Sequence, residues 1–85
     1  MNASDSQTQL QNFIQSEFGH KLEGQELAPD QDLLADGIVD SMGVMQLVAF
    51  MEDTFSISVE EDEITPTNFR SLRTLTALLS KKGVA

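Results

Sequence analysis

"ADGIVDSMGVMQL", residues 35–47, marks the start of the central helix, against which the rest of the chain is expected to pack. Asp40 and Ser41 are residue types that cap helix N-termini, since their side-chain oxygens accept free backbone N–H groups. Apolar residues then recur every three or four positions, as on the buried face of a helix; these are Val44, Leu47, Val48, Met51 and Phe55. The pattern predicts a helix from Ser41 or Met42 to Phe55.

The same period predicts a helix near each end of the chain. The first covers residues 6–18, with Ser4 or Ser6 as its N-cap; its apolar face is Leu10, Phe13, Ile14 and Phe18. The last covers residues 71–82, with Ser71 as its N-cap; its apolar face is Leu72, Leu75, Leu78 and Leu79.

A short fourth helix is predicted over residues 59–64, where Glu60, Glu61 and Asp62 suit the first turn of a helix. No alternating apolar pattern of useful length predicts a strand. The expected fold class is therefore all-α, a small four-helix bundle of three main helices and one short helix.

A long loop, residues 20–37, separates the first two helices of this bundle. Loops of this length in small domains are usually functional or held by buried side chains; the expected anchors here are Leu27, Leu33 and Leu34. We expect one turn of helix around residues 32–34. Gly37 should permit the backbone turn that leads into the central helix.

The chain has 85 residues, enough for one small domain. We expect that domain over residues 6–82, with a flexible tail at residues 1–5 and a second tail at residues 83–85. Cysteine is absent from the sequence, which excludes disulfides and thiolate metal sites. His20 is the single histidine, and no metal site is predicted.

Fourteen acidic residues against five basic ones give a formal net charge of −9. A surface this negative repels nucleic acid and anionic membranes and favours a basic protein partner. No apolar run approaches the roughly 20 residues of a membrane span, and the polar N-terminus lacks the order of a signal peptide. We therefore expect a cytoplasmic monomer that binds no nucleic acid.

Three interpretations fit Ser41. The first is a helix cap with no further role, which is common. The second is a calcium loop over residues 32–43, but Leu34 and Gly43 offer no side-chain oxygen where that loop needs ligands. The third is a point of covalent attachment. The sequence argues against an enzyme, since it holds no nucleophile–base pair and no glycine-rich phosphate loop.

The segment from Leu33 to Phe55 resembles the phosphopantetheine-dependent acyl and peptidyl carrier proteins. Their signature is a polar or acidic loop, an apolar pair, Asp-Ser and a bulky apolar residue before a helix; here these are Asp36-Gly37, Ile38-Val39, Asp40-Ser41 and Met42. A looser likeness continues through "EEDEITPTNFRSLRTLTALL", residues 60–79, so the resemblance covers most of the chain.

The resemblance implies that Ser41 is joined through a phosphodiester to 4′-phosphopantetheine taken from coenzyme A. The thiol at the end of this arm carries the cargo as a thioester. Asp40 is implied to help a phosphopantetheinyl transferase hold its metal ion, in addition to capping the helix. Ser41 has no base of its own, so its implied role is that of an acceptor. Ile38 is expected to pack into the core or against the arm.

The residues after Ser41 favour an amino-acid carrier over a fatty-acid carrier. Fatty-acid carriers usually place acids one and two turns into this helix, where this chain has Gly43 and Gln46. At about 100° per residue, the outward face holds Met42, Gln46, Ala49 and Asp53. Met45 and Phe50 flank it and fit either a contact face or a wider core. The predicted partner contacts are Asp36, Met42, Met45, Ala49, Glu52 and Asp53.

We therefore predict a stand-alone aminoacyl or peptidyl carrier, loaded by an adenylating ligase and unloaded by a downstream acceptor enzyme. "TPTNF", residues 65–69, is similar to the link before the last helix in discrete carriers that serve adenylating amino-acid ligases. The first alternative is a specialised acyl carrier for polyketide, fatty-acid or lipid synthesis, with an acyl-loading enzyme as its partner. The second is an unmodified acidic helical interaction module.

Overall fold

Three α-helices form the protein in a computed structural model that describes the backbone of residues 3–84 and the side chains of residues 6–84. They are α1 (Ala3–Phe18), α2 (Ser41–Phe55) and α3 (Leu72–Lys81). Single turns of 3-10 helix lie at Gly19–Lys21 and Glu61–Glu63. These residues contain no strand, so the all-α prediction is confirmed. The predicted fourth helix over residues 59–64 is only the second of the two 3-10 turns.

Helix α1 begins at Ala3 instead of Ser6. Ser4 and Ser6 therefore lie inside the helix, and the prediction that one of them is the N-cap is wrong. The residues before Leu10 include no glycine or proline that would break the helix. Residues 3–5 of the predicted N-terminal tail are helical, and residues 1 and 2 lie outside the described residues.

One apolar core fills the space between the three helices. Leu10 and Ile14 of α1, Leu47 and Met51 of α2, and most of the apolar face of α3 are fully buried. Phe13 stacks on Phe50 with ring centroids 4.2 Å apart, which joins α1 to α2. No buried side-chain nitrogen or oxygen of the described residues lacks a hydrogen-bond partner.

The long loop is fastened to the start of α3. The Leu33 N–H donates to the Arg70 carbonyl at 2.7 Å, and the Arg73 N–H donates to the Pro29 carbonyl at 3.0 Å. Ion pairs join Arg70 to Asp32 and Arg73 to Asp30. Of the expected anchors, Leu27 and Leu33 are buried and Leu34 is half-buried. The loop is therefore a packed part of the domain.

Helix α3 is closed at both ends by short-range hydrogen bonds. Ser71 is its N-cap, as predicted, and Thr74 completes a capping box. At the other end Gly83 adopts a φ of +88°. The Val84 N–H then donates to the Leu79 carbonyl and the Gly83 N–H to the Ser80 carbonyl, as in a Schellman motif.

Among the described residues, no helix has the length and apolar character needed to span a membrane.

Candidate functional site at the start of helix α2

Asp40 and Ser41 have different positions at the start of α2. Asp40 is the N-cap: its Oδ1 accepts the Gly43 N–H at 2.8 Å, and its carbonyl accepts the Val44 N–H at 2.8 Å. Ser41 is the first helical residue and is exposed. Within the described part of the chain, the Ser41 hydroxyl makes no hydrogen bond, because the aspartate has taken the capping role.

The Asp40 carboxyl group is held in its charged form. The hydrogen bond from the Gly43 N–H is the main cause that lowers the pKa of Asp40 below its usual value, and the positive charge of Lys21 adds to it. Gly37, with a φ of +72°, makes the turn that was expected before this segment. Ile38 and Val39 follow it and are buried in the core. These two buried residues therefore fix the backbone that leads to Ser41.

One side of the first turn of α2 is closed by α1. A Cβ atom on Gly43 would lie 3.0 Å from the Phe18 ring and 3.0 Å from the Val39 side chain. Gly43 is therefore a contact point between two helices. Fatty-acid carriers usually have an acid at this position, whereas here the end of α1 covers it.

The opposite side of α2 is open and apolar. Met42 is 78% exposed and Met45 is 55% exposed, and with Ser41, Gln46 and Ala49 they line a shallow groove. A second groove continues from it toward α1; its lining is Phe13, Glu17, Gln46, Ala49, Phe50 and Asp53. The structure thus places Met42, Met45, Ala49 and Asp53 on one face. Phe50 instead packs on α1.

Two predicted partner contacts lie away from that face. Glu52 is half-buried, and its Oε2 accepts the Val59 N–H at 2.9 Å, so its carboxylate holds the segment that follows α2. Asp36 is exposed in the turn before α2, where its N–H donates to the Asp32 carbonyl at 3.0 Å. Neither residue lines either of the two grooves.

A deeper cleft of about 630 Å³ borders Ser41 on its other side. Helix α2 and residues 64–69 form its walls, and its lining is Leu34, Val39, Asp40, Ser41, Val44, Met45, Ile64, Thr65, Pro66 and Phe69. Sequence reasoning missed this cleft, because residues 64–69 carry no helical period that would point them toward α2. Pro66 interrupts a helix, and it was the available sequence signal that this segment lines the cleft without being helical.

The segment that forms the outer wall is held in place by side-chain hydrogen bonds. The Asn68 amide donates to the Glu63 carbonyl at 2.9 Å, and the Thr74 hydroxyl donates to the Asn68 carbonyl at 2.9 Å. Thr65 Oγ1 accepts the Asn68 N–H at 3.2 Å. Ser41 therefore lies between a fixed apolar cleft and an open apolar groove.

Comparison with known proteins agrees with this geometry. Residues 8–79 match the model of the family described as the phosphopantetheine attachment site. A search among curated proteins found no match. The matched region includes α2, the cleft and nearly all of α3. The chain therefore belongs to the phosphopantetheine-attachment family, whose members carry a covalently attached 4′-phosphopantetheine and act as carriers and not as enzymes.

Proposed function

We propose that this protein is a carrier that holds an aminoacyl or peptidyl group on a 4′-phosphopantetheine arm attached to Ser41. The observation that carries the proposal is the exposed Ser41 hydroxyl, which has no hydrogen-bond partner in the described chain while Asp40 caps the helix. When bound, the arm supplies a terminal thiol that holds the cargo as a thioester.

The residues around Ser41 suit such an arm. The first N–H groups of a helix have no carbonyl partner and favour a phosphate group, and Ser41 and Met42 are the first two residues of α2. The cleft beside Ser41 offers an apolar wall to the hydrocarbon parts of the arm. A phosphodiester on Ser41 would therefore have polar donors behind it and apolar surface next to it.

Activation of the Ser41 hydroxyl is assigned to the transferase. A serine hydroxyl is a weak nucleophile unless a base takes its proton, and no described hydrogen bond joins Ser41 to a base. Asp40 keeps a charged carboxylate with one oxygen, Oδ2, outside its bond to Gly43. We assign that oxygen to contact with the transferase and its metal ion.

The exposed face of α2 supports an amino-acid cargo and an adenylating ligase as the loading partner. Met42, Met45 and Ala49 carry no charge next to Ser41, and the nearest acid on this face is Asp53 in the last turn. Methionine side chains adapt to varied contact surfaces. A specialised acyl carrier, loaded by an acyl-transferring enzyme, is the alternative. The net charge of −9 opposes self-association, so we propose a monomer.

Intact mass spectrometry tests the attachment. The purified chain is incubated with coenzyme A, Mg²⁺ and a broad-specificity phosphopantetheinyl transferase. The expected result is a mass gain of one arm in the wild type and in Ser71→Ala, and no gain in Ser41→Ala. If several transferases produce no gain in the wild type, the attachment proposal fails and only an unmodified interaction module remains.

Loading experiments on the modified chain test the cargo. Candidate adenylating enzymes are supplied with single amino acids, and acyl-loading enzymes are supplied with acyl donors. Aminoacylation by at least one adenylating enzyme is the expected result. Loading by acyl enzymes alone would contradict the amino-acid preference and support the alternative carrier.

A further inference from the structure

The second groove described above, which we call the α1–α2 groove, has an aromatic floor. Phe13 of α1 and Phe50 of α2 are half-buried in it, and their rings stack with centroids 4.2 Å apart. Each ring also meets a neighbour edge-on, Phe18 at 6.4 Å and Phe55 at 6.1 Å. Because the two rings are held on several sides, the floor of the groove is a fixed apolar surface.

Helices α1 and α2 run in opposite directions past this floor. The Phe18 ring lies against Gly43 in the first turn of α2. Phe13 lies earlier in α1 and stacks on Phe50, which lies later in α2. Glu17 directly precedes Phe18, so it lies at the end of the groove that is nearer the start of α2.

Asp53 lies at the other end of the groove, beyond Phe50 along α2. Gln46 and Asp53 both line the groove, and they are two helical turns, about 11 Å, apart along α2. Glu17 and Asp53 are exposed, and neither carboxylate forms a hydrogen bond or an ion pair with any described residue. No described basic residue lines the groove. The apolar floor therefore has an uncompensated negative charge at each end.

We propose that the α1–α2 groove binds a basic amphipathic helix of a partner protein, with an apolar side chain on the aromatic floor and a basic side chain at each end. An amphipathic helix commonly lays its apolar face into a groove of this kind. Residues i and i+7 of a helix lie on one face about 11 Å apart, which matches the length of the groove. Basic side chains at those two positions would meet Glu17 and Asp53.

Charge argues against other occupants of the groove. A second copy of this chain would bring one net charge of −9 against another, and the two copies would repel each other. An uncharged apolar segment would remove Glu17 and Asp53 from water without giving either carboxylate a partner, which is costly. A basic helix offsets both charges, and the acidic surface of the chain speeds its approach.

Titration of the isotope-labelled full chain with a synthetic probe tests the inference. The probe is a helical peptide of about 15 residues, with arginine at positions i and i+7, leucine at i+3 and i+4, and alanine or glutamine elsewhere. In ¹H–¹⁵N spectra the largest shifts should fall on Gln46, Ala49 and Phe50. A probe with glutamate in place of both arginines should bind at least about tenfold more weakly.

A pair of matched variants separates the groove from the general acidity of the chain. Glu17→Gln combined with Asp53→Asn should weaken binding of the arginine probe by about fivefold, as expected for the loss of two exposed ion pairs. Glu61→Gln combined with Asp62→Asn removes two charges from the exposed acidic turn and should leave the affinity unchanged.

Three results would overturn the inference. The first is equal weakening by both double variants, which would mean that net charge alone attracts the probe. The second is an absence of shifts at millimolar probe, or largest shifts at Met42 and Met45. The third is movement of the groove resonances with protein concentration before any probe is added, which would place a second copy there. Ser41 does not line the groove, so Ser41→Ala should bind the probe as the wild type does, and a failure of the arm attachment is measured separately by mass.

Discussion

Two helices of this protein begin with a serine at or beside the cap, and the two serines differ in exposure and in hydrogen bonding. Ser71 at the start of α3 is 5% exposed, and its hydroxyl oxygen accepts the Thr74 N–H at 3.2 Å. Ser41 at the start of α2 is exposed, and its hydroxyl makes no hydrogen bond within the described residues. The nearby Asp40 accepts the equivalent N–H, that of Gly43.

This difference shows how a chain can keep a serine available at a helix start. A serine that directly precedes a helix usually accepts a hydrogen bond from a free N–H group of the first turn, as Ser71 does. Where Asp40 precedes Ser41, the carboxylate takes the cap and the serine hydroxyl remains exposed. The surroundings of the two serines differ in the same way. The long loop is hydrogen-bonded to the start of α3, whereas α2 begins beside the exposed Met42 and Met45.

Gly43→Asp should have the largest effect on this comparison, because it adds a charged side chain at the closed side of α2. The new Cβ would lie 3.0 Å from the Phe18 ring, and the carboxylate would be buried among apolar groups. We expect the free energy of unfolding to fall by about 3 kcal/mol or more, measured by urea denaturation. Gln46→Asp, one turn on and exposed, is the control and should change it by less than about 0.5 kcal/mol.

An equal, small effect of both substitutions would contradict the closed packing of α1 on α2. It would also mean that an acid at position 43 could be exposed to a partner.

Ser71→Ala should have the next largest effect on stability. Loss of a buried N-cap costs about 1 kcal/mol, which corresponds to a fall in Tm of about 4–8 °C for a domain of this size. Ser41→Ala should change the stability by less than about 0.5 kcal/mol, since its hydroxyl contributes no hydrogen bond to the fold. Calorimetry of the two variants side by side would contradict the account if Ser41→Ala proved the more destabilised.

Asp40→Asn should change how stability depends on pH. The pKa of Asp40 is lowered in the folded state, chiefly by the Gly43 N–H. The unfolded state therefore binds the proton more readily, and the stabilisation is present above the usual pKa, about 3.8, and is lost as the pH falls through the lower folded value. Asparagine also caps helices, so the variant should remain stable at neutral pH.

Urea denaturation between pH 7 and pH 2 measures this effect. The wild type should lose more stability on acidification than Asp40→Asn does, with Asp30, Asp32 and Glu63, whose pKa values are also lowered, contributing the same amount in both proteins. Identical acid dependence in the two proteins would mean that Asp40 does not cap the helix as a charged group.

Met45→Glu should have the smallest effect on the fold and a clear effect on function. Met45 is 55% exposed, so its replacement should leave the free energy of unfolding within about 0.5 kcal/mol. Loading by the adenylating ligase should fall about tenfold in kcat/KM, the loss that follows from removing a contact worth about 1.4 kcal/mol. Ser80→Glu, on the exposed face of α3, adds the same charge and should load normally. Equal loading of both variants would remove this face from the partner interface.

Much of the fold could be predicted from the sequence, because the apolar period directly reports which helix face is buried. The start of α2 and the cap at Ser71 were predicted from local chemistry that acts within four residues. The start of α1 was missed, since several polar residues before Leu10 are compatible with either a cap or a helix. The predicted short helix is only the single turn Glu61–Glu63, because Pro66 has no backbone N–H with which a longer helix could continue.

The site was predicted less completely, because part of it depends on contacts between distant segments. The Asp40–Ser41 pair and the exposed Met42 follow from neighbours in the sequence. The closed side at Gly43 depends on where Phe18 lies, and a glycine inside a helix was the only local hint of close packing.

We propose that Asp40 takes the cap of α2 and thereby leaves Ser41 to receive the arm. Site-resolved fragmentation of the modified wild-type chain tests it most directly, because it reports which side chain holds the added mass among all the serines and threonines. The arm is expected on the Ser41 hydroxyl, with Ser71 unmodified in the same molecules. An arm on any other side chain, with Ser41 unmodified, would contradict it.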